Sequence, residues 1–204
     1  MSRIAVITML FFFSTACRPQ DAISEVHASP GPALLVKHTG AESWKIERGL
    51  YIVSTAGCHD CHTPITMGPN GPAPDMTRML SGHPAGLLLP LPPPPSRPWI
   101  VAVAATNTAW SGPWGVSFTA NLTPDRDSGL GTWTEQNFID TIRNGRHMGA
   151  GRALLPPMPV AYAKLTTEEL SAVFAYLKTI PAISNKVPAP LPPHAPSGPA
   201  PGKS

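Results

Sequence analysis

Cys58-His59-Asp60-Cys61-His62 is the stretch around which the rest of this chain is organised. Its C-x-x-C-H spacing is typical of sites where a haem is attached covalently to protein. The two thiols must reach the two vinyl groups at one edge of the porphyrin, while the next imidazole must reach the iron from one face. One helical turn brings all three side chains together. The motif therefore predicts one haem c, held covalently by Cys58 and Cys61, with His62 as the proximal iron ligand.

Other uses of paired cysteines fit this stretch less well. A thioredoxin-like dithiol is expected to follow a β-strand in a βαβ pattern, whereas the residues before Cys58 are predicted to be helical. A structural zinc site needs four nitrogen or sulfur ligands, and the one further cysteine is Cys17, near the amino terminus. Both interpretations are therefore disfavoured, as is a chance match.

Composition allows one domain with long irregular segments. The chain has 204 residues, of which 13% are charged, and it contains 27 prolines and 17 glycines. Typical globular chains carry roughly 25% charged residues, and so many prolines and glycines break regular structure. Hydrophobic residues make up 42% of the chain, which permits a core, particularly one completed by a flat apolar cofactor. The formal charge of +3 gives no support to nucleic-acid binding.

The first residues have the pattern of an export signal. A basic residue precedes an apolar run at 4–13, and small residues then lead to Cys17. The run is too short to span a bilayer comfortably. The ending is similar to a bacterial lipoprotein cleavage box, although Ser14 replaces the usual leucine. We expect a signal peptide at 1–16, lipidation of Cys17 and a membrane-anchored periplasmic protein; ordinary cleavage and an uncleaved anchor are the alternatives.

The remaining chain divides into a tether, a domain and a tail. Residues 17–42 lack regular patterning and are predicted to be a tether. A domain at 43–181 follows, with a long proline-rich loop insertion at 67–118. Within the insertion, the β-branched run Val101 to Ala105 predicts one short strand. The proline-rich segment 182–204 is predicted to be a disordered tail.

The first predicted helix spans Ser43 to Gly57 and leads into the cysteine pair. Its apolar residues Ile46, Leu50 and Val53 recur at i, i+4 and i+7, so they are expected to form one buried stripe. We also expect Trp44 to lie in the core; packing at the haem edge is the alternative.

Two further helices are predicted near the carboxyl end, so the fold class is expected to be mainly α. One is capped at its start by Thr134 and ended by Gly145, in a position that favours a left-handed residue. The other opens with a capping box formed by Thr166 and Glu169. Its buried stripe is expected to comprise Leu170, Val173, Phe174 and Leu177.

Aromatic residues are spread through the second half of the insertion. Aromatic side chains in a loop usually pack onto a hydrophobic core, and a substrate pocket is the alternative. These residues are Trp99, Trp110, Trp114 and Phe118.

Methionines are the main candidates for a ligand on the opposite face of the iron. Met67, Met76 and Met79 follow the cysteine pair so closely that reaching that face would require an unusually tight loop. Met158 is favoured over Met148 because prolines on both sides fix its backbone, and a weak thioether ligand benefits from such constraint. Simple core packing of Met158 is the alternative.

The sixth ligand decides between three functions. A thioether there stabilises Fe(II) and raises the potential relative to bis-histidine ligation, which suits an electron carrier rather than an enzyme. If Met158 leaves the iron, a haem-based gas or redox sensor becomes the alternative. A peroxidase-like enzyme would use His83 or His147 as a distal base, and these histidines are also alternative ligands.

A run of basic residues has no acidic neighbour between positions 141 and 165. It is either a patch that steers an acidic redox partner or a solvated face. We call these residues the basic patch: Arg143, Arg146, His147 and Arg152.

Seven short blocks between residues 44 and 180 carry a family resemblance. They are, in chain order, Arg48-Gly49-x-Tyr51, Cys58-x-x-Cys61-His62-Thr63, Asn121-Leu122-Thr123-Pro124-Asp125, Gly129-Leu130-Gly131-x-Trp133, Phe138, Arg143-x-Gly145 and Pro157-Met158-Pro159. In these blocks the sequence resembles class I c-type cytochromes, most of all the cytochrome subunits and domains of membrane-bound bacterial alcohol, aldehyde and gluconate dehydrogenases.

The resemblance implies a helical domain around one covalent haem, an electron-carrying role, and His62 and Met158 as axial ligands. It also implies redox partners, namely a dehydrogenase, a quinone-linked complex or a terminal oxidase, with the membrane reached through the lipid anchor. Those subunits usually carry two or three haem motifs, whereas this chain has one, and its insertion is long for the class. A freestanding single-haem lipoprotein is therefore a further possibility.

Overall fold

The computed structural model describes residues 40–90, 92 and 100–193, which fall within one compact unit. Four α-helices and two small antiparallel sheets occur in this part of the chain. None of its helices is both long enough and apolar enough to cross a membrane. The predicted signal peptide, Cys17, nearly all of the tether and Trp99 lie outside the described residues.

Helix α1 (Gly40–Thr55) leads into the short helix α2 (Cys58–His62), which confirms the predicted helix before the cysteines. Gly57 joins the two helices with a left-handed backbone, φ 74°. Glycine adopts this conformation without steric cost, so the chain can turn sharply there. We call residues 58–62 the cysteine turn.

Helices α3 (Glu135–Asn144) and α4 (Thr167–Leu177) confirm the two helices predicted near the carboxyl end. Each begins with a capping box, in which Thr134 or Thr166 accepts a backbone N–H and the side chain three residues later accepts one in return. Helix α3 ends at Gly145, whose φ is 60°. The predicted stripe of α4 is buried in full: Leu170, Val173, Phe174 and Leu177.

Helix α1 buries a different face from the one predicted. Val53 is buried as expected, but Leu50 is 45% exposed and Trp44 is 65% exposed, so the predicted core positions of these two residues are wrong. Gly49 lies in the contact with α4 instead, and a Cβ built there would be 2.0 Å from the backbone oxygen of Ala172. Because the glycine side of α1 faces α4, Leu50 is turned towards solvent.

The hydrophobic core lies where α1, α3 and α4 pack together. The rings of Phe138 and Phe174 join α3 to α4, with centroids 5.6 Å apart. Arg48 of α1 pairs with Glu169 of α4 at 2.7 Å. Cys58 packs against the same cluster, so the cysteine turn is attached directly to the helical core.

The insertion at 67–118 contains more regular structure than the predicted loop. Its strands form one two-stranded hairpin and one three-stranded antiparallel sheet, β3-β4-β5. They are β1 (Ile65–Gly68), β2 (Gly71–Pro74), β3 (Ala102–Val103), β4 (Ala109–Gly112) and β5 (Gly115–Phe118). The strand predicted at Val101–Ala105 is thus present in its central part. The others gave no signal because each is only four residues long and contains a glycine, which strands disfavour.

The segment after α4 packs onto the domain. Asn185 is buried, and its side chain donates to the carbonyl oxygens of Ser81 at 2.7 Å and His83 at 2.9 Å. Leu191 exchanges two backbone hydrogen bonds with β5. The predicted disordered tail therefore differs from the structure over residues 182–193, because polar contacts rather than apolar periodicity fix this segment.

Gly49→Ala should destabilise the protein. The added Cβ would force α1 and α4 apart, and overpacking of this kind costs about 1–3 kcal/mol. Gly40→Ala is the matched control, since nothing lies within 4 Å of its Cβ position. Urea denaturation followed by circular dichroism should show a lower free energy of unfolding for the first variant alone. Equal stabilities would mean that the two helices adjust freely at this contact.

Candidate functional site

The cysteine turn does not have the properties of a redox dithiol. Cys58 and Cys61 are half-buried and unpaired, and burial raises the pKa of the Cys58 thiol to about 11. A reactive dithiol at a helix N-terminus has a lowered thiol pKa instead. The turn also follows α1 and not a β-strand. Within the described residues, no group of three or more His, Cys, Asp or Glu side chains is arranged to hold a metal ion.

His62 is oriented by a hydrogen bond at one of its ring nitrogens. Its Nδ1 lies 2.8 Å from the carbonyl oxygen of Ala120, and because a carbonyl only accepts, Nδ1 carries the proton. Nε2 is then the nitrogen with a free lone pair. Burial is the main cause that lowers the pKa of His62, which favours the neutral imidazole. A neutral ring with its other N–H bound to a carbonyl is the usual form of a metal-ligating histidine.

Two other segments enclose the end of the cysteine turn. The hydroxyl of Thr63 accepts the N–H of Leu80 at 3.0 Å, and both residues are buried. The N–H of Gly82 donates to the carbonyl of His62 at 2.8 Å. A Cβ on Gly82 would lie 2.5 Å from the carbonyl oxygen of Ala120, so glycine permits a close approach here.

The block at residues 121–125 is a hydrogen-bonded turn. The buried Asn121 side chain accepts the N–H and hydroxyl of Thr123 through Oδ1 and donates through Nδ2 to the carbonyl of Ile183. These contacts use both ends of the amide. The block therefore has a structural role, which is to fix the chain directly after Ala120.

Met158 lies half-buried in the loop between α3 and α4, and we call residues 154–159 the methionine loop. Ser117 of β5 donates to the carbonyl of Pro156 in this loop at 2.5 Å. Just beyond it, the hydroxyl of Tyr162 donates to the carbonyl of Ala56, which precedes the cysteine turn. These contacts bring the methionine loop and the cysteine turn into the same part of the protein.

The other methionines are placed differently. Met67 and Met76 are 76% and 59% exposed. Met148 is also exposed, and Met79 packs against the helical core. Met158 differs from the exposed methionines because it is half-buried, and from Met79 because it lies in the methionine loop, which Ser117 and Tyr162 tie to the domain.

The two candidate histidines have other roles in the structure. His83 is buried, with Nδ1 2.9 Å from the hydroxyl of Thr108 and Nε2 3.3 Å from the carbonyl of Leu87. Both of its ring nitrogens therefore have partners. His147 is exposed, and its ring lies edge-on to Trp133 with centroids 5.1 Å apart.

One buried donor on the three-stranded sheet lacks an acceptor. Trp110 Nε1 is enclosed, and no hydrogen-bond partner for it exists among the residues described. Trp110 lies opposite Ser117 in the pairing of β4 with β5, so both side chains are on the face that meets the methionine loop. An unsatisfied buried N–H costs about 1–3 kcal/mol. A bound group that carries an acceptor at this face would remove that cost.

Sequence reasoning missed three residues that shape this site. Ala120 acts through its main-chain carbonyl, which carries no side-chain signature. Ser117 and Tyr162 act through single hydroxyl groups on segments that gave no periodic pattern. The one available signal was position, since Ala120 directly precedes the Asn121 block.

Comparison with known proteins gives relatives of low identity, and no family model matches the chain. The cytochrome subunit of fructose dehydrogenase from Gluconobacter japonicus is 28% identical over 197 residues, which are 94% of this chain and 31% of the relative. The cytochrome c subunit of alcohol dehydrogenase (quinone) from Gluconobacter oxydans is 25% identical over 153 residues, 72% of this chain and 24% of the relative.

A shorter match involves the cytochrome c subunit of gluconate 2-dehydrogenase from Pantoea cypripedii, 34% identical over 65 residues, 31% of this chain and 14% of the relative. The chain thus spans less than a third of the length of these relatives. These homologues are cytochrome c subunits of dehydrogenases, which confirms the resemblance noted in the sequence.

Thr63→Val should weaken the enclosure of the cysteine turn. Valine has nearly the shape of threonine but leaves the buried N–H of Leu80 without an acceptor, and such a loss costs about 1–3 kcal/mol. Thr66→Val, at an exposed position of β1, is the matched control. Guanidinium denaturation should give a lower midpoint for Thr63→Val than for the control. Equal midpoints would show that this hydroxyl does not stabilise the site.

Proposed function

We propose that this protein is a class I c-type cytochrome that carries electrons through one haem c. Cys58 and Cys61 hold the haem covalently, and His62 and Met158 are the axial ligands. The observation that carries the proposal is the C-x-x-C-H turn, in which Nδ1 of His62 donates to a carbonyl and burial lowers the pKa of the ring, which favours a neutral imidazole with its Nε2 lone pair available. The cytochrome c relatives support the electron-transfer role.

The residues of the site fit a haem in three respects. Two unpaired thiols and one oriented imidazole lie on a single turn attached to an apolar core. The methionine loop is tied to the start of that turn through Tyr162. The buried N–H of Trp110 needs an acceptor, and a haem carboxylate is one. When bound, the haem supplies reversible one-electron oxidation and reduction at its iron.

The residues around the haem set its reduction potential. The carbonyl of Ala120 orients the imidazole of His62 and increases its basicity as a ligand. A thioether ligand from Met158 favours the reduced state, and burial of the site also tunes the potential. With both axial positions filled, small substrates have no open coordination site. This arrangement supports an electron carrier, with catalysis left to a partner.

The alternative functions are less well supported by the site. A peroxidase-like enzyme needs a distal base with a free ring nitrogen, whereas His83 has partners at both nitrogens and His147 is exposed. A gas or redox sensor needs Met158 to leave the iron readily. Rapid carbon monoxide binding to the reduced protein would favour the sensor.

Met158→Ala should abolish the weak far-red absorption band that methionine ligation gives to oxidised haem. The midpoint potential should fall as well, because the thioether no longer stabilises Fe(II). Met148→Ala is the matched control and should keep both properties. Optical redox titration of the purified haem-loaded proteins measures both. If the band survives in Met158→Ala and disappears in Met148→Ala, the distal ligand must be reassigned to Met148.

For the whole chain, we propose an exported lipoprotein that works with a dehydrogenase. The proposal includes a signal peptide at 1–16, lipidated Cys17 and a tether that reaches the domain. The relatives named as dehydrogenase subunits support this partner. A quinone-linked complex and a terminal oxidase are the alternative redox partners.

The basic patch offers a surface for an acidic partner. Three of the patch residues lie in the loop that follows α3. A backbone bridge between Arg146 and Ala153 closes this loop, and the N–H of His147 donates to the carbonyl of Arg152 at 2.9 Å. Partial burial and the charge of Arg152 lower the pKa of His147. The Lys45–Glu135 and Arg48–Glu169 ion pairs of the described residues do not involve the patch.

Arg152→Glu should slow the oxidation of the reduced protein by ferricyanide, an anionic oxidant. The effect should be several-fold at low ionic strength and smaller in ~0.1 M salt, where the screening length is about 10 Å. Arg126→Glu changes the net charge equally at another exposed site and serves as the control. Stopped-flow rates that fall equally in both variants would contradict a role for the patch.

A further inference from the structure

A strap of four residues, 117–120, contacts both segments that carry the proposed iron ligands. At its start, the hydroxyl of Ser117 lies 2.5 Å from the carbonyl oxygen of Pro156 and donates to it. Pro156 is two residues before Met158. The strap therefore contacts the methionine loop through one side chain.

At its other end, the strap contacts the histidine. The carbonyl of Ala120 accepts from Nδ1 of His62 at 2.8 Å. Three residues of extended chain span roughly 10 Å, so one short segment reaches both ligand-bearing segments. Both contacts are polar and directional, and each fixes a position rather than only filling space.

The strap is itself fixed by neighbours on both sides. The main-chain N–H of Thr119 donates to the carbonyl of Thr108 at 2.9 Å, and the carbonyl of Thr119 accepts the main-chain N–H of His83 at 3.0 Å. Directly before the strap, Val116 exchanges two backbone hydrogen bonds with Leu191. With these bonds in place, the strap cannot slide relative to the sheet, so the distance between its two ends is set by the fold.

We propose that Ser117 is a positioning residue for Met158, and that the strap holds the methionine loop at a fixed place relative to His62. The inference rests on the proposed function, because it takes Met158 as the distal ligand. In this arrangement the insertion controls how readily the thioether leaves the iron. The hydroxyl of Ser117 keeps the methionine loop closed.

External imidazole is a probe of this closure, because it binds oxidised haem where the methionine has left. Its apparent affinity is proportional to the open fraction of the methionine loop. Loss of one ordinary hydrogen bond, here the bond to Pro156, changes such an equilibrium about five-fold. The Ser117 hydroxyl also accepts from Nε1 of Trp114 at 3.3 Å, a contact between β5 and the turn before it that does not involve the methionine loop. Ser117→Ala should therefore bind imidazole about five-fold more tightly and should lose the far-red band at correspondingly lower imidazole concentration.

Two further variants separate positioning from general loosening. Ser111→Ala alters another buried serine of the same sheet. Ser111 directly follows Trp110 in β4, so the two side chains lie on opposite faces of the sheet. Ser117→Thr keeps the hydroxyl. Both should bind imidazole with nearly the wild-type affinity, measured by optical titration of the full haem-loaded protein.

The outcomes distinguish this inference from the function on which it rests. Tighter imidazole binding in Ser117→Ala alone supports the inference. Unchanged imidazole binding in Ser117→Ala, or equal tightening in Ser111→Ala, overturns the inference. The proposed cytochrome function then still stands, provided that the wild type shows the far-red band and Met158→Ala abolishes the band. A wild type without that band overturns both.

Discussion

The hydrogen bond between Nδ1 of His62 and the carbonyl of Ala120 is the contact on which the site depends. It joins the cysteine turn to a segment 58 positions later in the chain. The bond orients the imidazole, and burial lowers the pKa of His62, which favours the neutral ring. The next residue, Asn121, is fixed by its hydrogen bond to the carbonyl of Ile183, and the glycine at position 82 leaves room for the Ala120 carbonyl. A main-chain acceptor thus fixes the orientation of the imidazole on which the proposed function depends.

The insertion is part of the site and not an appendage. Its three-stranded sheet brings Ser117 to the methionine loop and Trp110 to the same face. The segment after α4 pairs with β5 through Leu191, and the buried amide of Asn185 binds the carbonyl of Ser81 in the segment before the sheet. Polar contacts of this kind help to fix the position of the insertion.

The parts of the fold that the sequence predicts are those set by local interactions. The helix caps at Thr134 and Thr166 depend on residues at most three positions apart, and the cysteine turn depends on five consecutive residues. Both can therefore be recognised from a short stretch of sequence. The buried face of α1 could not be predicted in this way, because it is set by the close approach of the α4 backbone at Gly49. Leu50 fits the helical period of apolar residues, yet its side chain is exposed to solvent. Contacts such as Ala120 with His62 join distant segments and have no local signature.

Sequence distance also has a consequence for the order in which the domain closes. The side chain of Asn185 reaches Ser81 across 104 positions, and Tyr162 reaches Ala56 across 106. During synthesis the cysteine turn therefore emerges well before the segments that cover it. The domain can complete these contacts only after Asn185 has been synthesised, so its closure depends on the last part of the domain.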